Sequence, residues 1–223
     1  MELNKIDVAH SLAKGGLGTI PYIGALASEI FGLVVTPPLD KRRAEWMNEV
    51  SERLKELEEK RVIDFEELQN NEQFIDVVLQ ATSYALKTSE REKIKAFRNA
   101  ILNTATGVSP DKTISQIFLN QLDRFTVWHI KILYFIDNPR RWFKNSDKIP
   151  QSYLSSSIAS ILEEAFPELI NQDALVDIIW SDLMTAGFHR TSGRTTMMSG
   201  EGALIDRTTE LGKKFIAFIT YLD

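Results

Sequence analysis

Residues able to do chemistry are few in this chain, and they are scattered. His10, His129 and His189 supply all of its imidazole, and there is no cysteine. Thiol redox chemistry and disulfides are therefore excluded, and a zinc site of the usual Cys and His type cannot be assembled. His129 follows Trp128 in an otherwise apolar stretch, where a core or half-buried histidine is expected. His189 falls where a helical pattern ends. Glu163 and Glu164 are adjacent, so a helix would aim them to different sides, as a solvated face rather than an acid and base team. Ser155-Ser156-Ser157 lacks the glycines of a nucleophile elbow. Gly15-Gly16-Leu17-Gly18 lacks the Lys and Ser or Thr of a phosphate-binding loop. The expectation is a protein that is not an enzyme and that uses neither cofactor nor metal.

The elements that would position any site are mostly helices. At 223 residues the chain can bury a sizeable core without staples. Its formal net charge of -5 gives no overall attraction to a polyanion, so a nucleic-acid site would have to be a local patch. Helix starts are marked by Thr36 before Pro37 and Pro38, and by the capping-box spacings of Asp64 with Glu67 and Ser89 with Glu92. Between them Trp46, Val50, Leu54 and Leu57 fall on one face of a helix from about Leu39 to Lys60. Phe74, Val77, Val78, Ala81 and Tyr84 do so on the next. Ile94, Phe97, Ile101 and Ala105, and then Ile114, Ile117, Phe118 and Leu122, continue the scheme. Thr106-Gly107-Val108-Ser109-Pro110 is the candidate boundary, with a helical bundle over 1–108 and a second domain over 109–223. The start, Met1-Glu2-Leu3-Asn4-Lys5-Ile6-Asp7, has neither the basic region nor the apolar core of a secretory signal, so a cytoplasmic location is expected.

From Phe125 onward the order is an apolar helix (126–136), a second (153–166), a third (172–186), a Gly-punctuated hairpin and a closing helix (209–222). The hairpin is expected to pair 194–198 with 203–206 around the loop Ser199-Gly200-Glu201-Gly202. This order resembles bacterial regulators of the winged helix-turn-helix superfamily. Asp182-Leu183-Met184-Thr185-Ala186-Gly187-Phe188 is similar to the end of that superfamily's recognition helix, where Gly stops the helix. Leu204 through Phe215 is similar to a second wing strand running into a last helix. The fold class expected is thus mainly α, an N-terminal helical bundle followed by a winged-helix-like domain with a small β-hairpin wing.

The resemblance implies DNA contact through the third helix and wing, with Arg190, Arg194 and Arg207 as candidate contacts. Arg140, Arg141, Lys144 and Lys148 form the other basic cluster. Asn171 and Gln172 could read adenine edges. Yet the third helix carries Asp173, Asp177 and Asp182, with no Lys or Arg before Arg190. Phosphates would repel it.

Residues 15–39 carry Glu29 as their only charge and are rich in Gly. Their length suffices for a bilayer, but Glu29 and the Gly and Pro interruptions argue against a simple span. Gly24, Ser28 and Gly32 recur every fourth residue and would let another helix approach closely. Lys41-Arg42-Arg43 directly follows. The function expected is a protein-interaction or regulatory module on a winged-helix scaffold, with a protein partner or self-association through Gly24, Ser28 and Gly32, or through Met197 and Met198 at the wing. The alternatives are a DNA-binding regulator and a protein that meets membranes conditionally through 15–39.

Overall fold

The computed structural model of the chain describes residue 32 and residues 36–146, 154–191 and 193–221. It divides into two compact units, Met1–Lys60 and Arg61–Asp223. In the first, α1 (Thr36–Glu59) opens with the two prolines, where a missing amide hydrogen costs nothing. Trp46, Val50 and Leu57 are buried along one of its faces, as their spacing predicts. Lys41–Glu45 and Lys55–Glu59 pair on the exposed side at 3.7 and 3.8 Å, which adds little to stability.

The second unit is mainly α with one small antiparallel sheet. Its N-terminal helices are α2 (Phe65–Leu68), α3 (Glu72–Ala85), α4 (Arg91–Ala105) and α5 (Lys112–Arg124). Asp64 caps α2 by accepting from the Glu66 amide at 2.8 Å. Asn71 then caps α3, accepting from the Phe74 amide at 3.0 Å. The start of α4 differs from the Ser89 box: Glu90 is its N-cap, without a side-chain bond. Thr88 Oγ1 accepts from the Glu90 amide just upstream. The helix α4 ends at Gly107, whose φ of +75° is a conformation that favours glycine.

Residues on the two sides of the expected boundary at 108/109 are joined by hydrogen bonds, because α4 supplies partners to the far end of the chain. Asn103 Nδ2 donates to the carbonyls of Ala217, Phe218 and Thr220 at 2.9 Å, and Asn99 Nδ2 donates to Ile219 at 3.0 Å. These are carbonyls at the C-terminal end of α11 (Glu210–Ile219), which have no partner within their own helix. Two amides on α4 thus serve as the C-cap of a helix more than a hundred residues away.

The rest of the unit runs α6 (Val127–Asp137), α7 (Pro139–Asn145), β1 (Ser155–Ser156), α8 (Ile158–Ala165), a 3-10 turn (Pro167–Leu169), α9 (Asp173–Thr185), β2 (Met198–Ser199), the single turn α10 (Gly200–Ala203) and α11. Ser157 starts α8 by accepting from the Ser160 amide at 3.1 Å, so the helix expected from 153 begins later and Ser155–Ser156 is strand. Gly187, at φ +77°, ends α9 and sends Phe188 into the core.

The expected hairpin between 194–198 and 203–206 is also corrected. Ser199 Oγ accepts from the Gly202 amide at 3.1 Å and turns the expected loop into α10. Met198–Ser199 instead pairs back with Ser155–Ser156, in the register Ser155↔Ser199 and Ser156↔Met198. The neck of the excursion is a bridge between His189 and Thr208. A capping serine has competed successfully with a hairpin turn.

Two aromatic clusters fill the core. Phe118, Phe125, Phe188, Phe215 and Phe218 join α5, the turn after it, the end of α9 and α11. Phe188 stacks on Phe215 at 4.6 Å and Phe118 meets Phe215 edge-on at 5.3 Å. Trp128, Phe135, Trp142, Phe143 and Phe166 join α6, α7 and the end of α8, with Trp142 and Phe166 at 4.9 Å.

Candidate functional site

Of the three wing arginines, Arg194 is 8 % exposed. Its Nε donates to Asp177 Oδ1 at 2.7 Å and its Nη2 to Asp173 Oδ1 at 2.6 Å. Asp173 and Asp177 are one helical turn apart on α9, so a single planar fork reaches both. Burial works against the charge of Arg194, but the two carboxylates outweigh it and raise its pKa. Arg207 is half-buried. Its Nη2 donates to the Gly202 carbonyl at 2.6 Å and to Met198 Sδ at 3.0 Å, and burial lowers its pKa. Arg190 is exposed. The three candidate DNA contacts therefore do not form a cationic patch: two are engaged inside the fold.

What α9 turns outward is apolar and acidic. Val176, Ile179, Trp180 and Leu183 are buried, which leaves Ala174, Ile178, Ser181 and Thr185 on the opposite side. Ile178 is 60 % exposed, with Leu175 and Met184 also exposed at the flanks. Asp173 and Asp177 border this strip on one side and Asp182 on the other. Asn171 and Gln172 lie outside the helix, Asn171 in the left-handed region at φ +63°. Met197 is 63 % exposed, whereas Met198 is half-buried under Arg207.

Both described histidines are structural fixtures. At His129 the Thr126 amide donates to Nδ1 at 3.1 Å. That leaves the proton on Nε2, which faces Asp182 Oδ2 at 3.3 Å. The ring stacks on Phe125 at 4.7 Å and completes the capping box that starts α6. At His189 the Thr191 amide donates to Nδ1 at 3.2 Å and Nε2 donates to the Trp180 carbonyl at 2.9 Å. Trp180 Nε1 returns a bond to the Thr191 carbonyl at 2.8 Å. This clamp fixes the exit from α9. Burial lowers the pKa of both rings, so each is neutral at pH 7.

A feature that sequence reasoning missed is a cleft of about 920 Å³ at the corner of α6 and α7, closed on its far side by α11. Asp137 ends α6, Asn138 caps α7 by accepting from the Arg141 amide at 2.8 Å, and Arg141 and Trp142 follow in the first turns of α7. From α11 and its exit come Lys213, Ile216 and Tyr221. Asp137 Oδ1 is buried without a hydrogen-bond partner among the described residues. The Thr208 hydroxyl is close enough to this carboxyl to favour its charged form by hydrogen bonding. Burial raises the pKa of Asp137, against the opposing pull of Lys213. An Asp-Asn-Pro run reads as a helix end followed by a start, and that signal hid the carboxylate.

Gly24 and Ser28 lie outside the described residues, as do His10 and Lys148. At Gly32 an added Cβ would meet nothing within 4 Å among the described residues. Among the described residues, no helix is long and apolar enough to cross a membrane, and no three of His, Asp and Glu gather as metal ligands. Comparisons with protein-family models, with curated proteins and with solved structures return no match.

Proposed function

We propose that the chain is a non-enzymatic protein-binding module built on a winged-helix-like scaffold, and that it docks its partner through the outward face of α9. The scaffold reading is supported by the order α6, β1, α8, α9, paired strand and α11, with β1 pairing to the segment after α9. One observation carries the functional reading: the cation nearest to α9, Arg194, is buried against Asp173 and Asp177. The helix therefore meets solvent with Ile178 and Leu175 between carboxylates. A surface of that kind repels phosphate oxygens and suits an apolar patch ringed by Lys or Arg. Two copies of the same face would set carboxylate against carboxylate, which favours a different protein over self-association.

Replacing Ile178 with Glu, and separately Asp177 with Lys, tests this in the full chain. Both positions are exposed, so the fold should be kept. Cross-linked partners recovered with the wild type should be lost from both variants, and wild-type capture should weaken as salt rises. Micromolar binding of duplex DNA in moderate salt, reduced on replacing Arg190 or Arg194, would replace this reading with the DNA-binding one.

A further inference from the structure

The short helix α7 and its N-cap turn four residues toward the cleft at the α6–α7 corner. Asn138, Arg141, Trp142 and Asn145 all line it, at the i, i+3, i+4 and i+7 spacing of one helix face. Asn138, Arg141 and Asn145 are exposed. Asn138 uses its Oδ1 to accept from the Arg141 amide at 2.8 Å. Its side-chain N–H groups, and the whole Asn145 side-chain amide, have no hydrogen bond among the described residues. Of the two cations in the cleft, Lys213 is held toward Asp206 at 3.3 Å and Glu210 at 3.9 Å. The Arg141 guanidinium has no ion pair or hydrogen bond among the described residues. Asp137, on α6, keeps Oδ1 buried beside Thr208, so the charge that α7 offers the cleft is positive.

Two amides at this distance match one kind of ligand. Asn138 and Asn145 are seven residues apart, about 10 Å along a helix, and an extended chain covers that length in about three residues. An Asn side chain carries both donors and an acceptor, so it can pair with the open main-chain groups of such a chain. Between the two, Trp142 is the ridge dividing this cleft of about 920 Å³ from a smaller one of about 680 Å³. The smaller one is walled by Trp128 and floored by Phe166, whose ring lies 4.9 Å from Trp142 and 5.6 Å from Trp128. Such a slot takes a large apolar side chain.

We propose that the cleft-lining face of α7 is the docking site for an extended acidic segment of a partner protein. Asn138 and Asn145 bond its main chain, and Arg141 takes its carboxylate in a two-armed fork. A large apolar side chain next to the acidic residue enters the slot between Trp142 and Trp128. The α9 face is acidic and suits a basic partner, so the two sites differ in chemistry and either can fail without the other.

Fluorescence anisotropy of the full chain with labelled heptapeptides tests it. The set carries Asp or Glu at the centre, one of Trp, Phe, Leu or Ile on either side of it, and Ser elsewhere, with acetylated and amidated ends. At least one peptide should bind with a Kd of about 100 μM or tighter, and its counterpart with Lys at the centre at least roughly tenfold more weakly. Arg141→Glu should reverse that preference, and Asn145→Ala should weaken the acidic peptide about three- to tenfold. Both positions are exposed, so the melting temperature of either variant should stay within about 1 °C of the wild type. Ile178→Glu on α9 should leave the peptide bound. The proposal is overturned if no acidic peptide of the set binds at about 1 mM, if the Lys counterparts bind as tightly, or if Arg141→Glu leaves binding intact. It is also overturned if an oligothymidylate displaces the peptide and binds more tightly than any of the set, which would make this face a nucleic-acid site.

Discussion

Replacing Arg194 with Ala is the sharpest perturbation of the α9 reading, because it asks whether this cation is structural. The change removes the bonds of 2.7 and 2.6 Å to Asp177 and Asp173. Hydrogen bonds to charged groups contribute about 1.5–3 kcal/mol each when both partners are buried. Here the carboxylates are 66 % and 72 % exposed and regain water once released. Each bond is therefore discounted toward the roughly 0.2–1 kcal/mol of exposed ion pairs. Loss of the buried Arg stem adds about 1 kcal/mol. The sum is about 1.5–3 kcal/mol, a fall in melting temperature of roughly 4–10 °C for a unit of this size. Arg194→Lys keeps the charge but cannot supply the two-armed fork, so about half of the loss should remain. Urea and thermal unfolding of Arg194→Ala, of Asp173→Asn with Asp177→Asn, and of the triple variant close the cycle. Its coupling energy should be about 1–2 kcal/mol. A loss below about 0.5 kcal/mol, the scale of an ordinary surface change, would refute the argument and return Arg194 to the list of cations free to meet phosphate.

The histidines set an acid limit. Burial lowers the pKa of both from the ordinary 6.5, so the unfolded chain binds protons that the native state refuses, and stability is lost as pH falls below about 6.5. Unfolding at pH 7.5 and pH 5 should show this decline, and His129→Gln or His189→Gln, though each less stable at pH 7.5, should show a smaller one; an equal decline in the variants would count against it. Gly212 sets a packing limit: an added Cβ would meet Thr208 Cγ2 at 2.5 Å and the Phe188 carbonyl oxygen at 2.6 Å. Because the second is backbone, Gly212→Ala should cost about 1–3 kcal/mol; a melting temperature within about 1 °C of the wild type would be inconsistent with this packing.

Helices were legible wherever an apolar stripe met a capping residue. The spacing in α1, α3 and α5, and the helices α6, α8, α9 and α11, follow from burial of a helical face, and Gly187 stops α9 where its sequence says it should. Elements set by polar competition were not legible. The run around Ser199 has both the glycines of a hairpin and a serine able to cap a turn, and periodicity has no term for which prevails. The boundary near Gly107 looked like a domain break because Gly and Pro do end α4 there. What joins the two sides is a pair of asparagines reaching carbonyls more than a hundred positions on, and no local pattern announces that.

The same distinction explains why the candidate sites escaped notice. Asp173 and Asp177 count as repulsion toward DNA when α9 is read alone. With Arg194 folded against them, they become part of the domain's own ion cluster and leave the apolar strip as the exposed feature. Asn99, Asn103, His129 and His189 are buried polar side chains as well, and each has its hydrogen bonds, as buried groups in stable folds do. Asp137 is half-buried at the α6–α7 corner, where burial raises its pKa while Lys213 and the Thr208 hydroxyl pull it down.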